Sequence, residues 1–216
     1  AARALQIRML PQSDQQIGSF RFRHRIFTSM YLSGDFVDFF RLGKDEVAFY
    51  MADVSGHGAA SAFVTVMLKT LIDKYRERLM REGDHLLLSP SDLLSQLNRD
   101  FCQSGIDKYL TIFYAVLDRR SNRLRYCSGG QFPPPMVRGS DSLEVLTGHD
   151  RPVGLFEDSI YTDHEVILPS GFMLLLISDG ILELLPRDAA RKRASFLLDR
   201  VAATDLSLEA LIEKFT

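Results

Sequence analysis

The order of elements along the sequence predicts an α+β fold in which two antiparallel β-sheets are sandwiched between helices. Strand-like runs come first, two long helical segments follow, and further strands precede helices at the end of the chain. Strands and helices that come in separate runs favour antiparallel sheets covered by helices. The 216 residues are enough for one sizeable domain, and the 46% hydrophobic content is ordinary for a globular protein.

The N-terminal segment AARALQIRML is predicted to be a short helix that ends at Pro11. We expect residues 1–12 to be a linker or signalling helix from an upstream domain, with a frayed terminus as the alternative. Residues 13–216 then form the domain itself. Apolar and basic residues alternate in SFRFRHRIF, residues 19–27, which predicts a half-exposed strand with a solvated basic face.

A β-hairpin and two helices are predicted next. The runs FVDFFRL and EVAFYMA flank a turn at residues 43–45, as in a hairpin. Residues 59–81 lack Gly and Pro and carry apolar side chains at helical spacing, which predicts a long helix. A second helix is predicted from about Pro90 to Cys102, with Ser89 or Ser91 as its N-cap.

The second half of the chain is predicted to be mainly strands. YLTIFYAVLD and RLRYCSG flank a turn at residues 120–122, and PPMVRG with SLEVLT suggests another strand pair. Two more strands are predicted on either side of residues 169–171. The chain is expected to finish in helices at about 191–203 and 207–215.

Composition excludes several classes of protein. The formal net charge of −2 gives no sign of a surface for nucleic acid, and the longest apolar run, FMLLLI, is far too short to cross a bilayer. Two cysteines, Cys102 and Cys127, make a disulfide framework unfavourable and favour a reducing compartment. We therefore expect a cytoplasmic protein that binds neither nucleic acid nor membrane.

Two aspartates are predicted to face each other across the hairpin. With the turn centred on Lys44, Asp35 lies nine residues before the centre and Asp53 nine after it. Side chains directly opposite on paired strands have Cβ atoms about 4.5–5.5 Å apart. Carboxylates at that distance repel each other, and a divalent cation such as Mg²⁺ or Mn²⁺ is the simplest remedy.

Glycines flank both of these aspartates. Gly34 precedes Asp35, and Gly56 and Gly58 follow Asp53 in the run DVSGHG. Glycine lets the backbone approach a ligand closely and adopt unusual dihedral angles. The alternative is a tight strand-to-helix turn in which Asp53 caps the helix.

A third aspartate repeats the pattern, because MLLLISDGILE is predicted to end an apolar strand in Asp179 and Gly180. Three such positions favour a convergent acidic site. Histidines offer no competing metal cluster, since they are scattered, and His57 is interpreted as a hydrogen-bonding loop residue. The histidines are His24, His57, His85, His149 and His164.

Other hydrolytic chemistries lack their motifs. A cysteine phosphatase needs an arginine six positions after its cysteine, but Pro133 follows Cys127 and Lys108 follows Cys102 at that spacing. GGQFPPP is unsuited to binding phosphate, because proline removes the amide donors. Neither G-x-S-x-G nor G-x-x-x-x-G-K-[ST] is present. Metal-assisted hydrolysis of a phosphoester is the chemistry that remains.

Four motifs, SGDFVDFF, ADVSGHG, GGQFPPP and ISDGILE, occur in this order. Together they resemble the PPM-type metal-dependent serine/threonine phosphatases of bacteria, and the SpoIIE/RsbU-like branch in particular. The leader also resembles the linker that precedes this domain in many members.

The resemblance implies two central antiparallel sheets and a site for two divalent cations, Mn²⁺ or Mg²⁺. Asp35 and Asp53 would bind the metals, with Asp53 bridging them. The Val54 carbonyl would add a ligand, and Asp179 would complete the core. The supporting loop positions would be Gly34, Gly56, His57, Gly58, Gly180 and Glu183.

The sequence departs from the family pattern at several positions. Ser33-Gly34-Asp35 and Ser178-Asp179-Gly180 are tolerable variants of the usual Gly-Gly-Asp and Thr-Asp-Gly, and two further departures matter more. Gly129-Gly130-Gln131 replaces the usual Ala-Gly-His before the prolines. The family's final aspartate, a further metal ligand, has no clear counterpart, so we expect the last strand to lie beyond Thr216, with an incomplete site as the alternative. The aspartates nearest the end, in helical or loop-like sequence, are Asp188, Asp199 and Asp205.

The resemblance implies an Mn²⁺- or Mg²⁺-dependent phosphoprotein phosphatase. Its expected substrate is a phosphorylated STAS-type anti-sigma factor antagonist in partner-switching signalling. The domain would be the output of a larger regulator with an upstream receiver or sensor domain, such as a response regulator of the RssB type, and a homodimer is left open. The alternative is a weakly active or inactive domain that acts as a protein-binding adaptor in a sigma-factor regulator.

Overall fold

The computed structural model of the chain describes residues 2–26, 33–140, 142–184 and Val201. The chain divides into two compact units, the first comprising Ala1–Gln131 and Gly148–Ile167 and the second Phe132–Thr147 and Leu168–Thr216. The helices are α1 (Ala2–Met9), α2 (Ala59–Glu82) and α3 (Pro90–Gln103), with 3-10 helices at Leu86–Leu88 and Asp179–Leu184. The strands are β1 (Asp14–Ile17), β2 (Phe20–Arg23), β3 (Asp35–Arg41), β4 (Glu46–Val54), β5 (Leu110–Asp118), β6 (Arg123–Gly129), β7 (Met136–Arg138), β8 (Leu143–Val145), β9 (His164–Ile167) and β10 (Met173–Leu175).

The main sheet of the first unit has five antiparallel strands in the order β3-β4-β5-β6-β9. One face of this sheet packs against α2 and α3. On the opposite face, the Phe22 ring of the hairpin β1–β2 stacks on Phe39, with 4.8 Å between the ring centroids. The helix-side core includes Phe36, Tyr50, Tyr114, Leu68, Ile72, Leu94, Leu97 and Phe101.

Both long helices begin and end close to the predicted residues. Glycines bound α2, because Gly58 is its N-cap residue and Gly83 ends it in the left-handed conformation with φ 69°. Pro90 occupies the first turn of α3, and Ser89 is the N-cap residue. The Ser89 side chain makes no capping hydrogen bond; instead, the Ser91 amide donates to Asp163 Oδ1 at 2.7 Å.

A buried ion pair joins the sheet to α2. Asp38 on β3 accepts a hydrogen bond from Lys69 Nζ at 2.9 Å, and the two side chains are 7% and 16% exposed. Burial raises the pKa of the Asp38 carboxyl, and the Lys69 ammonium opposes this shift. The pair therefore keeps a charged aspartate on an otherwise apolar face.

Lys69→Met is expected to lower the free energy of unfolding by about 2 kcal/mol at neutral pH. Removing one partner of a buried pair leaves the other charge uncompensated, although Arg76 beside Asp38 reduces the loss below the usual range. Without the ammonium, burying the charged Asp38 carboxylate costs more free energy. The destabilisation should therefore shrink as the pH falls and Asp38 takes up a proton. Urea denaturation between pH 4 and pH 8 measures this, with the exposed Lys74→Met as the control. A loss of stability that is independent of pH would contradict the explanation.

The second unit contains a three-stranded antiparallel sheet in the order β10-β7-β8. Met136 and Val201 are buried in its core, and the Arg138 guanidinium donates to the Val201 carbonyl oxygen at 2.8 Å. Partly buried side chains pack around them: Leu143, Val145, Met173, Leu175, Ile177 and Ile181.

The structure corrects the prediction that an apolar strand runs directly into Asp179. Strand β10 ends at Leu175, which is opposite Met136, and Asp179 begins a 3-10 helix. The ladder stops there because residues 133–135, which precede Met136, are prolines without amide donors.

Other strand predictions need smaller corrections. The strand predicted at residues 19–27 is limited to β2 in the described part of the chain, and its partner β1 was not predicted. The two strands around residues 169–171 exist, but β9 pairs with β6 and β10 with β7. The predicted helices at 191–203 and 207–215 lie outside the described residues, apart from Val201, which is helical.

Two expectations from composition can be compared with the structure. Cys102 and Cys127 are both free thiols. Among the described residues, no helix combines the length and apolar character needed to cross a membrane.

Candidate metal centre

The two aspartates of the hairpin lie directly opposite each other, as their spacing from the turn predicts. Asp35 on β3 is the register partner of Asp53 on β4, and both are half-buried. Because side chains alternate along a strand, both carboxylates lie on the face away from α2 and α3. The fold therefore brings together two acidic side chains at one end of the sheet.

Gly34 allows the backbone before β3 to approach the end of β4. A Cβ atom at this position would lie 2.7 Å from the Val54 carbonyl oxygen and 3.1 Å from Asp53 Oδ1. The Val54 amide donates to the Gly34 carbonyl oxygen at 3.2 Å, which holds the two segments together. A carboxylate oxygen and a carbonyl oxygen thus converge on one point, as hard-cation ligands do.

Gly34→Ala is expected to reduce Mn²⁺ affinity and to destabilise the protein by about 1–3 kcal/mol. The added methyl group would overlap backbone and carboxylate atoms that have little freedom to move. Gly43→Ala is the matched control, because a Cβ at Gly43 meets no atom within 4 Å. Calorimetric Mn²⁺ titration and urea denaturation of both variants make the comparison. Equal effects of the two substitutions would contradict the close-approach argument.

The Val54 carbonyl has a direction fixed by hydrogen bonds on the other side of the same peptide. The Ser55 amide donates to the Tyr109 carbonyl oxygen at 2.9 Å, and the Tyr109 amide donates to Ser55 Oγ at 3.2 Å. In a planar trans peptide the amide and carbonyl point in opposite directions. The contact with Tyr109 therefore directs the Val54 carbonyl away from β5 and towards Gly34.

The run DVSGHG forms the loop between β4 and α2. Gly56 and Gly58 have φ values of 78° and 82°, a region that side chains disfavour, which accounts for both glycines. The N-cap residue of α2 is Gly58, so Asp53, five residues earlier, does not occupy the N-cap position that the alternative gave it. His57 is exposed.

The remaining predicted ligand and its neighbouring loop positions belong to the second unit. Asp179 is exposed and begins the 3-10 helix Asp179–Leu184, which also contains Gly180 and Glu183. Within residues 2–26, 33–140 and 142–184, the structure forms no group of three or more His, Cys, Asp or Glu side chains able to hold a metal. The predicted ligands that it brings together are Asp35, Asp53 and the Val54 carbonyl.

Three residues that support this loop were not predicted from the sequence. Lys108 and Ser61 both donate to the Ser55 carbonyl oxygen, at 3.0 and 3.1 Å, and Tyr109 bonds to the Ser55 amide and hydroxyl. The signal for Lys108 and Tyr109 is the pairing of Val54 with Leu110, which places the residues before Leu110 beside Ser55. That pairing is not visible in either segment alone.

The cysteines are poorly suited to nucleophilic chemistry. Burial, reinforced by the Asp150 carboxylate that accepts the thiol hydrogen bond at 3.4 Å, raises the pKa of Cys127. Burial also raises the pKa of Cys102. Because the thiolate is the reactive form, thiols held in the protonated state agree with the absence of a cysteine-phosphatase motif.

The family described as Stage II sporulation protein E (SpoIIE) matches residues 43–216. The chain belongs to this family. Phosphoserine phosphatase RsbU of Bacillus subtilis is 29% identical over 155 residues, covering 70% of this chain and 43% of RsbU. Phosphoserine phosphatase RsbP of the same organism is 27% identical over 160 residues, covering 72% of this chain and 38% of RsbP. The SpoIIE-family chain thus spans less than half the length of these two relatives.

Solved structures confirm the fold. The SiaA-PP2C domain of Pseudomonas aeruginosa superposes with a TM-score of 0.71 at 19% identity, covering 99% of this chain and 84% of that one. The PP2C phosphatase domain of SpoIIE from Bacillus subtilis, with a fragment of its regulatory domain, gives a TM-score of 0.68 at 18% identity, covering 85% and 53%. The predicted α+β class with antiparallel sheets and the predicted SpoIIE/RsbU-like branch are both confirmed.

Proposed function

We propose that this SpoIIE-family chain is a metal-dependent protein serine/threonine phosphatase domain. The observation that carries the proposal is the facing pair Asp35 and Asp53, with the Val54 carbonyl directed to the same point beside Gly34. Two carboxylates that face each other repel, and a bound cation would offset that repulsion. Relatives that are named phosphoserine phosphatases support the reaction class.

The residues present fit one or two hard divalent cations. Asp35, Asp53 and the Val54 carbonyl supply oxygen ligands, the type that Mg²⁺ and Mn²⁺ prefer. The related RsbX has been solved in complex with magnesium. We propose that two cations would be held here, with Asp35, Asp53 and the Val54 carbonyl among their ligands, and the predicted role of Asp179 as a further ligand stays a prediction.

Each part of the site has a role in the proposed reaction. When bound, the cations would lower the pKa of a water molecule and offset the charge of the phosphoryl group. The chain itself orients the carboxylates by strand pairing and fixes the carbonyl through the Ser55 peptide. Gly34 keeps the approach to these oxygens open by carrying no side chain.

We propose a phosphorylated STAS-type anti-sigma factor antagonist as the substrate, in partner-switching signalling in the cytoplasm. Support comes from the similarity to RsbU and RsbP. Further support comes from the solved structure of the RsbU and RsbW domains of Rv1364c from Mycobacterium tuberculosis, on which this chain superposes with a TM-score of 0.61 at 22% identity. In this proposal the domain is the output of a longer regulator with a receiver or sensor domain before residues 1–12.

The deciding experiment measures hydrolysis of an aryl phosphate and of a phosphoserine STAS protein by the purified chain in Mn²⁺, Mg²⁺ or EDTA. The proposal expects turnover of both substrates in Mn²⁺ and none in EDTA. Hydrolysis of the aryl phosphate alone would overturn the substrate class. Tight binding of the STAS protein without any turnover would identify the adaptor alternative instead.

A further inference from the structure

Ser55, the residue after the candidate carbonyl ligand, has all of its polar groups engaged. Its amide and hydroxyl bond to the backbone of Tyr109, and its carbonyl oxygen accepts from both Lys108 Nζ and Ser61 Oγ. Two consecutive peptide planes are therefore held, the one before Ser55 and the one after it. Fixing both planes leaves the Ser55 backbone little freedom to rotate.

The segment that supplies Lys108 is itself held in place. The Lys108 amide donates to the Ile106 carbonyl oxygen at 2.8 Å, and Leu110 exchanges two backbone hydrogen bonds of 2.9 Å with Val153. The backbone around Lys108 thus lies between Val153 on one side and Ser55 on the other. A side chain that extends from such a segment can hold a loop with precision.

The Lys108 ammonium lies against the next loop position. A Cβ atom at Gly56 would lie 2.6 Å from Lys108 Nζ, so a side chain there would displace the ammonium from the Ser55 carbonyl. Ser61 is fully buried and already gives that carbonyl a hydrogen-bond donor. Lys108 is therefore not needed merely to give the Ser55 carbonyl oxygen a hydrogen-bond donor. Its charge-assisted bond holds that carbonyl more firmly than a neutral donor would.

We propose that Lys108 is a positioning residue of the candidate metal centre, acting through the Ser55 carbonyl on the direction of the Val54 carbonyl. The inference rests on the proposed metal-dependent function and adds a residue from outside the acidic hairpin and its loop. If the Ser55 backbone rotates, the preceding peptide loses its bond to Tyr109 and the Val54 carbonyl turns away from Asp53. Lys108 thus sets the affinity for the cation without contacting the substrate.

The test compares Lys108→Met with Lys108→Arg, and uses the exposed Lys74→Met as the control. The first readout is hydrogen exchange of the Ser55 amide in EDTA, which needs neither metal nor activity. The second is the Mn²⁺ dissociation constant from calorimetry. The third is the KM for an aryl phosphate at saturating Mn²⁺.

Lys108→Met is expected to raise the Mn²⁺ dissociation constant about tenfold, the effect of losing one charge-assisted hydrogen bond. Exchange of the Ser55 amide should accelerate by a similar factor, while the KM for the aryl phosphate stays unchanged. Lys108→Arg should keep the Mn²⁺ dissociation constant and the exchange rate of the Ser55 amide close to their wild-type values. Lys74→Met should match the wild type in both. A raised KM with unchanged Mn²⁺ affinity would overturn the proposal in favour of direct substrate contact.

Ser61→Ala gives an independent check, because Ser61 donates to the same carbonyl. In a double-mutant cycle, the combined effect of Ser61→Ala and Lys108→Met on Mn²⁺ affinity should depart from the product of the single effects. Independent effects would overturn the shared action on Ser55. If the wild-type chain binds no Mn²⁺, both the proposed function and this role fail. Unchanged affinity and exchange in Lys108→Met would remove the role of Lys108 alone.

Discussion

Asp53→Asn is expected to lower Mn²⁺-dependent hydrolysis of an aryl phosphate by about a thousandfold while leaving the fold intact. The asparagine keeps the shape of the side chain and its place opposite Asp35, but it removes the charge that would be shared between the two cations. Loss of several kcal/mol of charge stabilisation in the transition state corresponds to a rate effect of roughly this size. Initial rates with increasing Mn²⁺ measure it, and circular dichroism confirms that the variant is folded.

Asp45→Asn is the matched control for this variant. Asp45 lies in the turn of the same hairpin and pairs with the exposed Arg120 guanidinium at 2.8 Å, far along the strand from the facing pair. Its loss should leave the rate unchanged, because surface ion pairs contribute little. Near-normal turnover by Asp53→Asn would show that the assignment of the metal centre is wrong.

The facing aspartates could be predicted because a hairpin register follows from its turn. Once the turn at residues 43–45 is recognised, counting outwards pairs Asp35 with Asp53 without any knowledge of the rest of the fold. The helices α2 and α3 could be predicted for a similar reason, since Gly58, Gly83 and Pro90 mark their ends locally. Local signals therefore located the acidic pair and the helix that follows it.

The support for the loop could not be predicted, because it depends on contacts between distant segments. Lys108 is 53 residues from Ser55 in the sequence, and the two meet only because β5 pairs with β4. The polar strand β1, with the sequence DQQI, lacks the apolar alternation that marks a strand. The apolar run through residues 173–177 could not show where β10 ends, since the limit is set by the prolines opposite it.

The leader helix is confirmed as a helix, and it bonds to the segment just before the strand that carries Asp35. Gln6 on α1 is buried, and its side-chain amide donates to the Ser33 carbonyl oxygen at 2.7 Å and accepts from the Ser33 amide at 3.3 Å. It also donates to Thr65 Oγ1 on α2 at 3.2 Å. The predicted role of residues 1–12 as a linker from an upstream domain stays a prediction, but α1 is bonded to the backbone immediately before the candidate site.

The relative stability of the wild type and Asp53→Asn is expected to reverse when Mn²⁺ is added. In EDTA the variant should be the more stable by up to about 1 kcal/mol, because two like charges directly opposite on paired strands are destabilising. A ligand that binds only the folded state at about 100 times its dissociation constant adds about 2.7 kcal/mol. The wild type should gain this amount in Mn²⁺, whereas the variant, which lacks the shared carboxylate, should gain little.

Urea denaturation of both proteins in EDTA and in Mn²⁺ tests this reversal, and Asp45→Asn should follow the wild type in both conditions. The EDTA arm tests the effect of the facing carboxylates without a bound cation, and the Mn²⁺ arm adds the effect of binding. If the wild type is the more stable in EDTA, the facing carboxylates are not a source of strain in the metal-free protein. If Mn²⁺ stabilises both proteins equally, the cation binds elsewhere, because a site built on Asp53 has to lose affinity when that carboxylate becomes an amide.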